Sequence, residues 1–504
     1  MENLNLSRQG ISVVASDNSQ THEVSEEFVL PDYIPEIRKL LACKASVLPE
    51  SRFVSDETVL TSGSVTYLVI YTDDEGKLRA TPLSSSYEVE LGVSKSPKNV
   101  FVDTTVDSVL PRVNAPRRLS IKSRLKSRAM CIESQEIQEN ISPKSSADEM
   151  FLERKLTALD TFEISTATLD NIKISDELDM QGIKEAKPLW CDASAQIKEY
   201  KVRARGISVR GDVSVKCVCQ TENGVVTLTR TLPLAEELEC EGASPTDMAR
   251  INARCVSLSI SSEQNLDTCQ LFFDLCLELE AETARKKQVQ ATLDCYSTKY
   301  ETSTSYKELE GFEVAKMASL SFTCTDGIKR KSNEAKDIVD QIIHPVLEKT
   351  EIKGSRLIML GKLLASIIGK TEQNENGEVE YLCDSYEIPF KYELELGKNV
   401  DSYIPRISLE CGLASARYEG DKLYISCELY PVMTIFEKYK ARVLDSATIN
   451  KDKEIDRDKS CVCVYFPKDG DTLWEIAKRY HTTENKIASQ NDLDGTELKK
   501  SLIV

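Results

Sequence analysis

Three stretches of this chain superimpose on a glycine, and that repetition constrains the fold more than any other feature. They run from Gly63 to Tyr71, from Gly211 to Cys219 and from Gly361 to Gly369. Each leads into a polar turn with its own glycine, at Gly76, Gly224 and Gly377. A second extended run follows in each copy and holds a proline, at Pro82, Pro233 and Pro389. Two strands joined by a glycine-bearing polar turn make a β-hairpin, so the chain is expected to contain three copies of one hairpin-based unit.

At even offsets from the leading glycine stand Val65, Tyr67, Val69 and Tyr71, then Val213, Val215, Cys217 and Cys219, then Leu363, Ala365, Ile367 and Gly369. Side chains two apart share one strand face, which is expected to be buried. Alternating runs continue downstream, at Leu119 and Ile121, at Val256, Leu258 and Ile260, at Ile407, Leu409, Cys411 and Leu413, and at Leu423, Ile425, Cys427 and Leu429. The expected fold class is mainly β. Repeat domains cover residues 1–148, 149–297 and 298–445, a polar linker covers 446–460, and a small α+β domain covers 461–504. One helix is expected inside the units, over Ser332 to Lys349, where Ala335, Ile338, Val339 and Ile342 form a helical stripe that Pro345 ends.

With 504 residues, 41% of them apolar and 29% charged, the chain is long enough for three or four packed domains. Its 82 acidic and 64 basic side chains give a net charge of −18, which argues against general nucleic-acid binding, because phosphate contact needs clustered Lys and Arg. Met1 to Thr21 lacks the basic end and apolar stretch of a secretory signal. The longest largely apolar run, Leu357 to Gly369, is broken by Lys362, so no transmembrane segment is expected. The chain is therefore expected to stay in the cytosol, with its 16 cysteines as buried thiols and not as a disulfide framework.

Apparent catalytic signatures have plainer readings. Gly369, Lys370 and Thr371 look like the end of a phosphate-binding loop, but the first glycine of that motif falls at Leu364. Cys217 and Cys219 take the places of Val69 and Tyr71 on the buried face. Cys461 and Cys463 share that strand spacing, with no histidine near, so no metal site is expected. His22, His344 and His481 are scattered, and neither catalytic residues nor a cofactor is expected. Lys122, Arg124, Lys126 and Arg128 fall on one strand face opposite Ile121 and Leu125. In an acidic chain that face is a candidate docking patch for an anionic partner or lipid, with a solvated strand face as the alternative.

The C-terminal segment carries the most specific signal. Its order is a strand (Cys461 to Phe466), a turn at Lys468 to Asp471, a helix (Thr472 to Tyr480), a second helix (Thr483 to Gln490) and a strand (Ser501 to Val504). Thr472 and Glu475 have capping-box spacing, and Leu473, Ile476, Ala477 and Tyr480 form an apolar stripe. The run from Gly470 to Tyr480, with Asn491 downstream, resembles the LysM family. That resemblance implies a βααβ fold binding N-acetylglucosamine chains, as in peptidoglycan, in a groove between two loops. Carried over, the groove residues are Asp469, Gly470, Asp471 and Thr472 on one side and Asn491, Asp492, Leu493 and Asp494 on the other. The glycine and closing proline usual near the last strand are absent from Leu498 to Val504. Trp474 and Tyr480 are read as core packing ahead of sugar stacking.

Three β repeats followed by one LysM module resemble the SipL group of spore-coat morphogenetic proteins, which carry SPOCS domains. The resemblance rests on the alternation from Gly63 to Tyr71 and on the stretch from Val29 to Ile37. It implies a protein of endospore-forming Firmicutes, present in the mother-cell cytoplasm at the forespore surface and in the basal spore coat. There it implies a non-enzymatic scaffold whose LysM domain docks a spore-coat morphogenetic ATPase of the SpoIVA type and other coat proteins. Peptidoglycan binding through the LysM groove is the alternative.

Overall fold

The computed structural model describes residues 2–3, 6–95, 97–141, 151–180, 182–264, 268–373, 379–400, 402–456, 463–493, 498 and 501–504. A short strand, β1 (Glu2–Asn3), precedes three units of one build. The first holds β2 (Leu6–Val29), β3 (Lys39–Val54), β4 (Thr58–Thr72), β5 (Leu78–Gly92), β6 (Asn99–Ala115) and β7 (Arg118–Ile141). The second holds β8 (Leu152–Met180), β9 (Ala186–Arg203), β10 (Gly206–Thr221), β11 (Gly224–Glu239), β12 (Met248–Gln264) and β13 (Cys269–Ser297). In the third, β14 (Tyr300–Ser319) and β15 (Phe322–Lys329) share the first role. They are followed by β16 (Asp337–Lys353), β17 (Arg356–Lys370), β18 (Tyr381–Glu395), β19 (Tyr403–Cys411), β20 (Ser415–Glu419) and β21 (Lys422–Glu454).

Each unit is a sandwich of two antiparallel sheets. One sheet is the meander β3-β4-β5, β9-β10-β11 or β16-β17-β18. The other places the last strand between the first and the fifth, as β2-β7-β6, as β8-β13-β12, and as β21 flanked by β14, β15, β19 and β20. The alternating apolar faces turn inward, as period-two patterning requires. Val65, Tyr67, Val69 and Tyr71 pack with Leu119, Ile121 and Leu125. Val213, Val215, Cys217 and Cys219 pack with Leu271, Phe273, Leu275 and Leu277. Leu363, Ala365 and Ile367 pack with Leu423, Ile425, Cys427 and Leu429.

The three leading glycines share one structural duty. Gly63 pairs with Pro49, Gly211 with Ile197 and Gly361 with Leu347, each beside a register shift in the neighbouring strand. A Cβ at these positions would overlap the carbonyl oxygens of Leu48, Gln196 and Val346 respectively. Glycine is required there by the close approach of a bulged backbone. Gly76 and Gly224 serve the turns instead, with φ of 77° and 109°. Gly377 lies outside the described residues.

A second bulge in each meander builds the junction between units. It skips Leu41, Leu189 and Val339, opposite Ile70, Val218 and Ile368. These residues gather with Leu78, Val225 and Tyr381 into one cluster drawn equally from the three units. At the opposite end, Val14, Ile164 and Val314 meet with Ile132, Ala284 and Phe436 in a second shared cluster. The units are thus arranged about a pseudo-threefold axis with an apolar plug at each end. Ion pairs close the ring from Lys44 to Asp192 at 2.6 Å, from Lys216 to Asp340 at 2.6 Å and from Lys39 to Glu380 at 3.0 Å. Arg406 of the third unit joins all three, holding Asp103 of the first at 2.8 Å and Glu282 of the second at 2.7 Å. Burial works against the Arg406 charge, but the two carboxylates outweigh it and raise its pKa.

Two sequence expectations fail here. Ser332 to Lys349 is not a helix: from Asp337 it is strand β16, and Pro345 sits opposite Leu363 on an edge strand, where no ladder donor is lost. The helical stripe was produced by the bulge, which makes adjacent Ile338 and Val339 both face apolar surroundings, the sandwich interior and the axial plug. The stretch read as a linker is strand as far as Glu454. Two of its apolar residues, Ala447 and Ile449, are buried against Cys295 and Leu152 of the second unit.

Candidate functional site

The C-terminal module is built from β22 (Val464–Tyr465), α1 (Leu473–Arg479), α2 (Glu484–Gln490) and β23 (Leu502–Ile503), with β22 and β23 paired antiparallel. Thr472 caps α1 by accepting from the Glu475 N–H at 3.2 Å, while Glu475 accepts from the Thr472 N–H at 3.2 Å. Such a reciprocal cap contributes about 1 kcal/mol to a helix of two turns. Thr483 caps α2 through the Lys486 N–H. Ile476, Ala477, Ile487 and Leu502 form the module's core, with Trp474 at its edge.

The eight groove residues divide by task. Asp471 accepts from the Tyr465 hydroxyl at 2.7 Å and from the Lys468 N–H at 2.8 Å, so its carboxylate braces its own loop. The Lys468 N–H and the Tyr465 hydroxyl hold this carboxyl below the usual carboxylate range. Asn491 donates to the Ile487 and Ile503 carbonyls at 2.8 and 2.7 Å and accepts from the Ile503 N–H at 2.7 Å, tying the end of α2 to β23. Thr472 is the cap, and Leu493 packs on the core. Asp469, Gly470 and Asp492 are exposed, and Gly470 with φ of 91° and Asp492 with φ of 49° shape the two loop backbones. Asp494 lies outside the described residues. The arrangement offers a sugar chain two exposed loop backbones and two outward carboxylates.

A second surface was not legible in the motif. Val464 of β22 and Phe466 just beyond it lie at the surface, with Ile503 opposite Val464, and the three are 53%, 68% and 44% exposed respectively. On so small a module this is an unusual apolar face. The i, i+2 spacing of Val464 and Phe466 beside the inward Tyr465 was the only signal for it.

Trp474 is buried, as expected, though its cover comes partly from outside the module. It lies edge-on to Tyr296 of the second unit, with ring centres 5.0 Å apart. Tyr480 is at the surface, edge-on to Tyr465.

Elsewhere, Lys122, Arg124, Lys126 and Arg128 share the outward face of β7, with Ile121 and Leu125 buried behind them. Three of them meet acids of flanking strands: Lys122 reaches Glu23 at 3.4 Å, Arg124 reaches Asp107 at 3.9 Å and Arg128 reaches Asp17 at 2.6 Å. Much of the patch's charge is thus compensated locally. Gly369 and Lys370 end strand β17. The Cys217 and Cys219 sulfurs lie 3.2 Å apart on the buried face. His22 sits beside Tyr87 in the first unit, His344 contacts the Val106 carbonyl, and His481 is in the C-terminal module, so the three do not converge. Among the described residues no group of three or more His, Cys, Asp or Glu side chains is placed to hold a metal, and no helix is long and apolar enough to cross a membrane.

The LysM domain matches residues 468–499, and the SipL, SPOCS domain matches residues 179–262. The chain carries a SPOCS domain of the SipL type and a C-terminal LysM domain. The SPOCS match covers the end of β8 and strands β9 to β11 with most of β12, in the second unit, where Val215 and Cys219 stand in place of the first unit's Tyr67 and Tyr71. Comparison with curated proteins and with solved structures gives no match. A SPOCS domain with a C-terminal LysM is the make-up of a sporulation protein with the capacity to bind peptidoglycan, and both are binding domains.

Proposed function

We propose that this chain is a non-enzymatic scaffold of the endospore coat. In this reading it is held in the mother-cell cytoplasm at the forespore surface and in the basal coat, where its LysM domain docks a coat ATPase of the SpoIVA type and other coat proteins. The observation that carries the reading is the outward apolar face of Val464, Phe466 and Ile503. A face of this kind suits a protein partner, whose apolar surface it would remove from water. The use of Asp471 and Asn491 inside the fold points the same way, since two of the groove's polar side chains are already engaged. The locked trefoil suits scaffolding, because it would hold attached proteins at fixed separations.

Peptidoglycan binding is the second reading. It is favoured by the exposure of Asp469, Gly470 and Asp492 on the two groove loops.

A fluorescently tagged chain in sporulating cells tests the proposal. Scaffolding requires a shell at the forespore surface that disperses when the coat ATPase is removed. A shell that persists without the ATPase and follows the peptidoglycan layer would support the second reading.

A further inference from the structure

The LysM module does not stand apart from the three units. Asp294, near the end of β13, turns its carboxylate toward α1 and accepts from the Trp474 indole N–H at 2.9 Å. Lys478, one helical turn further on, reaches both carboxylate oxygens at 2.7 Å. Tyr306 of β14 donates to the same group at 2.6 Å. Two residues along β13, Tyr296 covers the Trp474 ring and donates its hydroxyl to the Thr482 carbonyl at 2.7 Å. Tyr296 is 2% exposed and Trp474 is 5% exposed.

We propose that Asp294, Tyr296 and Tyr306 form an intrachain socket for the Trp474 and Lys478 face of the LysM domain, and that this latch fixes the module's orientation on the trefoil. The chemistry is specific. A single carboxylate of the second unit collects side-chain donors from the third unit and from the module, and charge-assisted hydrogen bonds to a partly buried anion are the strong kind. Burial pushes the Asp294 carboxyl up, but the hydrogen bonds from Lys478, Tyr306 and Trp474 outweigh it and hold it below the usual carboxylate range. The aromatic pair adds an apolar contact with edge-to-face geometry. Positions 474, 478 and 482 are spaced by one helical turn, so the socket grips one face of α1 and its exit. The groove loops and the Val464, Phe466 and Ile503 face remain uncovered. The occupant is the chain's own module, since the tether from Glu454 to Cys463 is only a few residues long and keeps it close.

The consequence is functional. A latched module presents its partner-binding surfaces in one direction relative to the trefoil, whereas a tethered one would sample many. Any ligand that needs the Trp474 face must first displace Asp294.

The test uses the full chain and its two tryptophans, Trp190 and Trp474. Trp190 is buried in the axial cluster, so both indoles should resist acrylamide quenching in the native chain. Asp294→Ala and, from the module's side, Lys478→Met should each make about one of the two emitters quenchable and speed hydrogen exchange in residues 473–482, with unchanged far-ultraviolet dichroism. If Asp294→Ala fails to fold, Lys478→Met still decides, because Lys478 is partly exposed and outside the core. Unchanged quenching and exchange in a folded Lys478→Met chain would overturn the latch. A native chain that is a dimer with Trp474 protected only in the dimer would overturn the intrachain assignment in favour of exchange between two copies.

Discussion

Trp190 of the second unit donates its indole N–H to the Asp340 carboxylate of the third at 2.9 Å, inside the apolar plug of the trefoil. Lys216 reaches the other carboxylate oxygen at 2.6 Å, and both members of that ion pair are almost fully buried. The contact makes the second and third units specific to each other, because the first unit has Leu40 and Ala42 around its matching bulge.

Removing Asp340 therefore tests whether the units behave as one body. Asp340→Ala leaves a buried ammonium and an indole N–H unpaired, a loss of about 3–5 kcal/mol. Urea unfolding should show one transition moved to lower denaturant. A second, separate transition with the rest unaffected would mean that the units fold independently.

The bulge glycines should be costly to replace. Gly63→Ala, Gly211→Ala and Gly361→Ala each drive a Cβ into a backbone carbonyl that cannot move without distorting the bulge, at about 1–3 kcal/mol each. Gly397→Ala meets no neighbour and pays only the positive-φ strain, about 1 kcal/mol. Thermal melts of the four variants, ranked in that order, check the assignment.

Stability should fall as the solution is acidified through the histidine range. His344 of the third unit donates through Nε2 to the Val106 carbonyl of the first at 2.8 Å. Burial lowers its pKa, with the Val106 carbonyl and Asp107 opposing and Lys44 reinforcing the shift. The unfolded chain then binds this proton more readily than the folded one. The neutral imidazole's contribution is present above about pH 6.5 and shrinks as pH falls from there toward the folded value. His22, whose pKa burial also lowers, acts with the same sign. His344→Gln with His22→Gln should flatten the melting temperature between pH 7 and 5. A wild-type melting temperature that rises on acidification through that range would contradict the sign.

Groove substitutions should separate into two kinds. Asp471→Ala and Asn491→Ala remove hydrogen bonds that hold the module together, and should speed hydrogen exchange throughout residues 463–493. Asp469→Ala and Asp492→Ala touch exposed side chains, and should leave exchange unchanged outside the residues next to Asp492, where alanine strains a backbone at φ of 49°, while weakening ligand binding. Uniform exchange in all four variants would show that Asp471 and Asn491 are not structural.

Much of this architecture could be read in the sequence because it rests on local rules. The hairpins announced themselves through Gly63, Gly211 and Gly361 and the period-two apolar residues after each. The LysM helices followed from the Thr472 and Glu475 cap and the stripe through Ile476 and Ala477. What could not be read depends on contacts between distant residues. The bulge at Val339 breaks the strand period locally and imitates a helix. Val256 looked like a core position but is the residue skipped between Cys255 and Ser257, and it is exposed. Ala447 and Ile449 are too sparse to signal a strand until Cys295 and Leu152 cover them. In the groove, the motif singled out Asp471 and Asn491, but spacing alone could not tell that their polar atoms bond within the module itself.

The most direct test of the scaffold account measures binding of the full chain to two immobilised ligands, a purified coat ATPase of the SpoIVA type and purified peptidoglycan. Three forms are compared: wild type, a Val464→Ser, Phe466→Ser and Ile503→Ser chain, and an Asp469→Ala and Asp492→Ala chain. Scaffolding requires retention by the ATPase that is lost in the triple serine chain and kept in the alanine chain, with peptidoglycan retaining little of any form. Strong retention on peptidoglycan, lost in the alanine chain and unchanged in the serine chain, would contradict it.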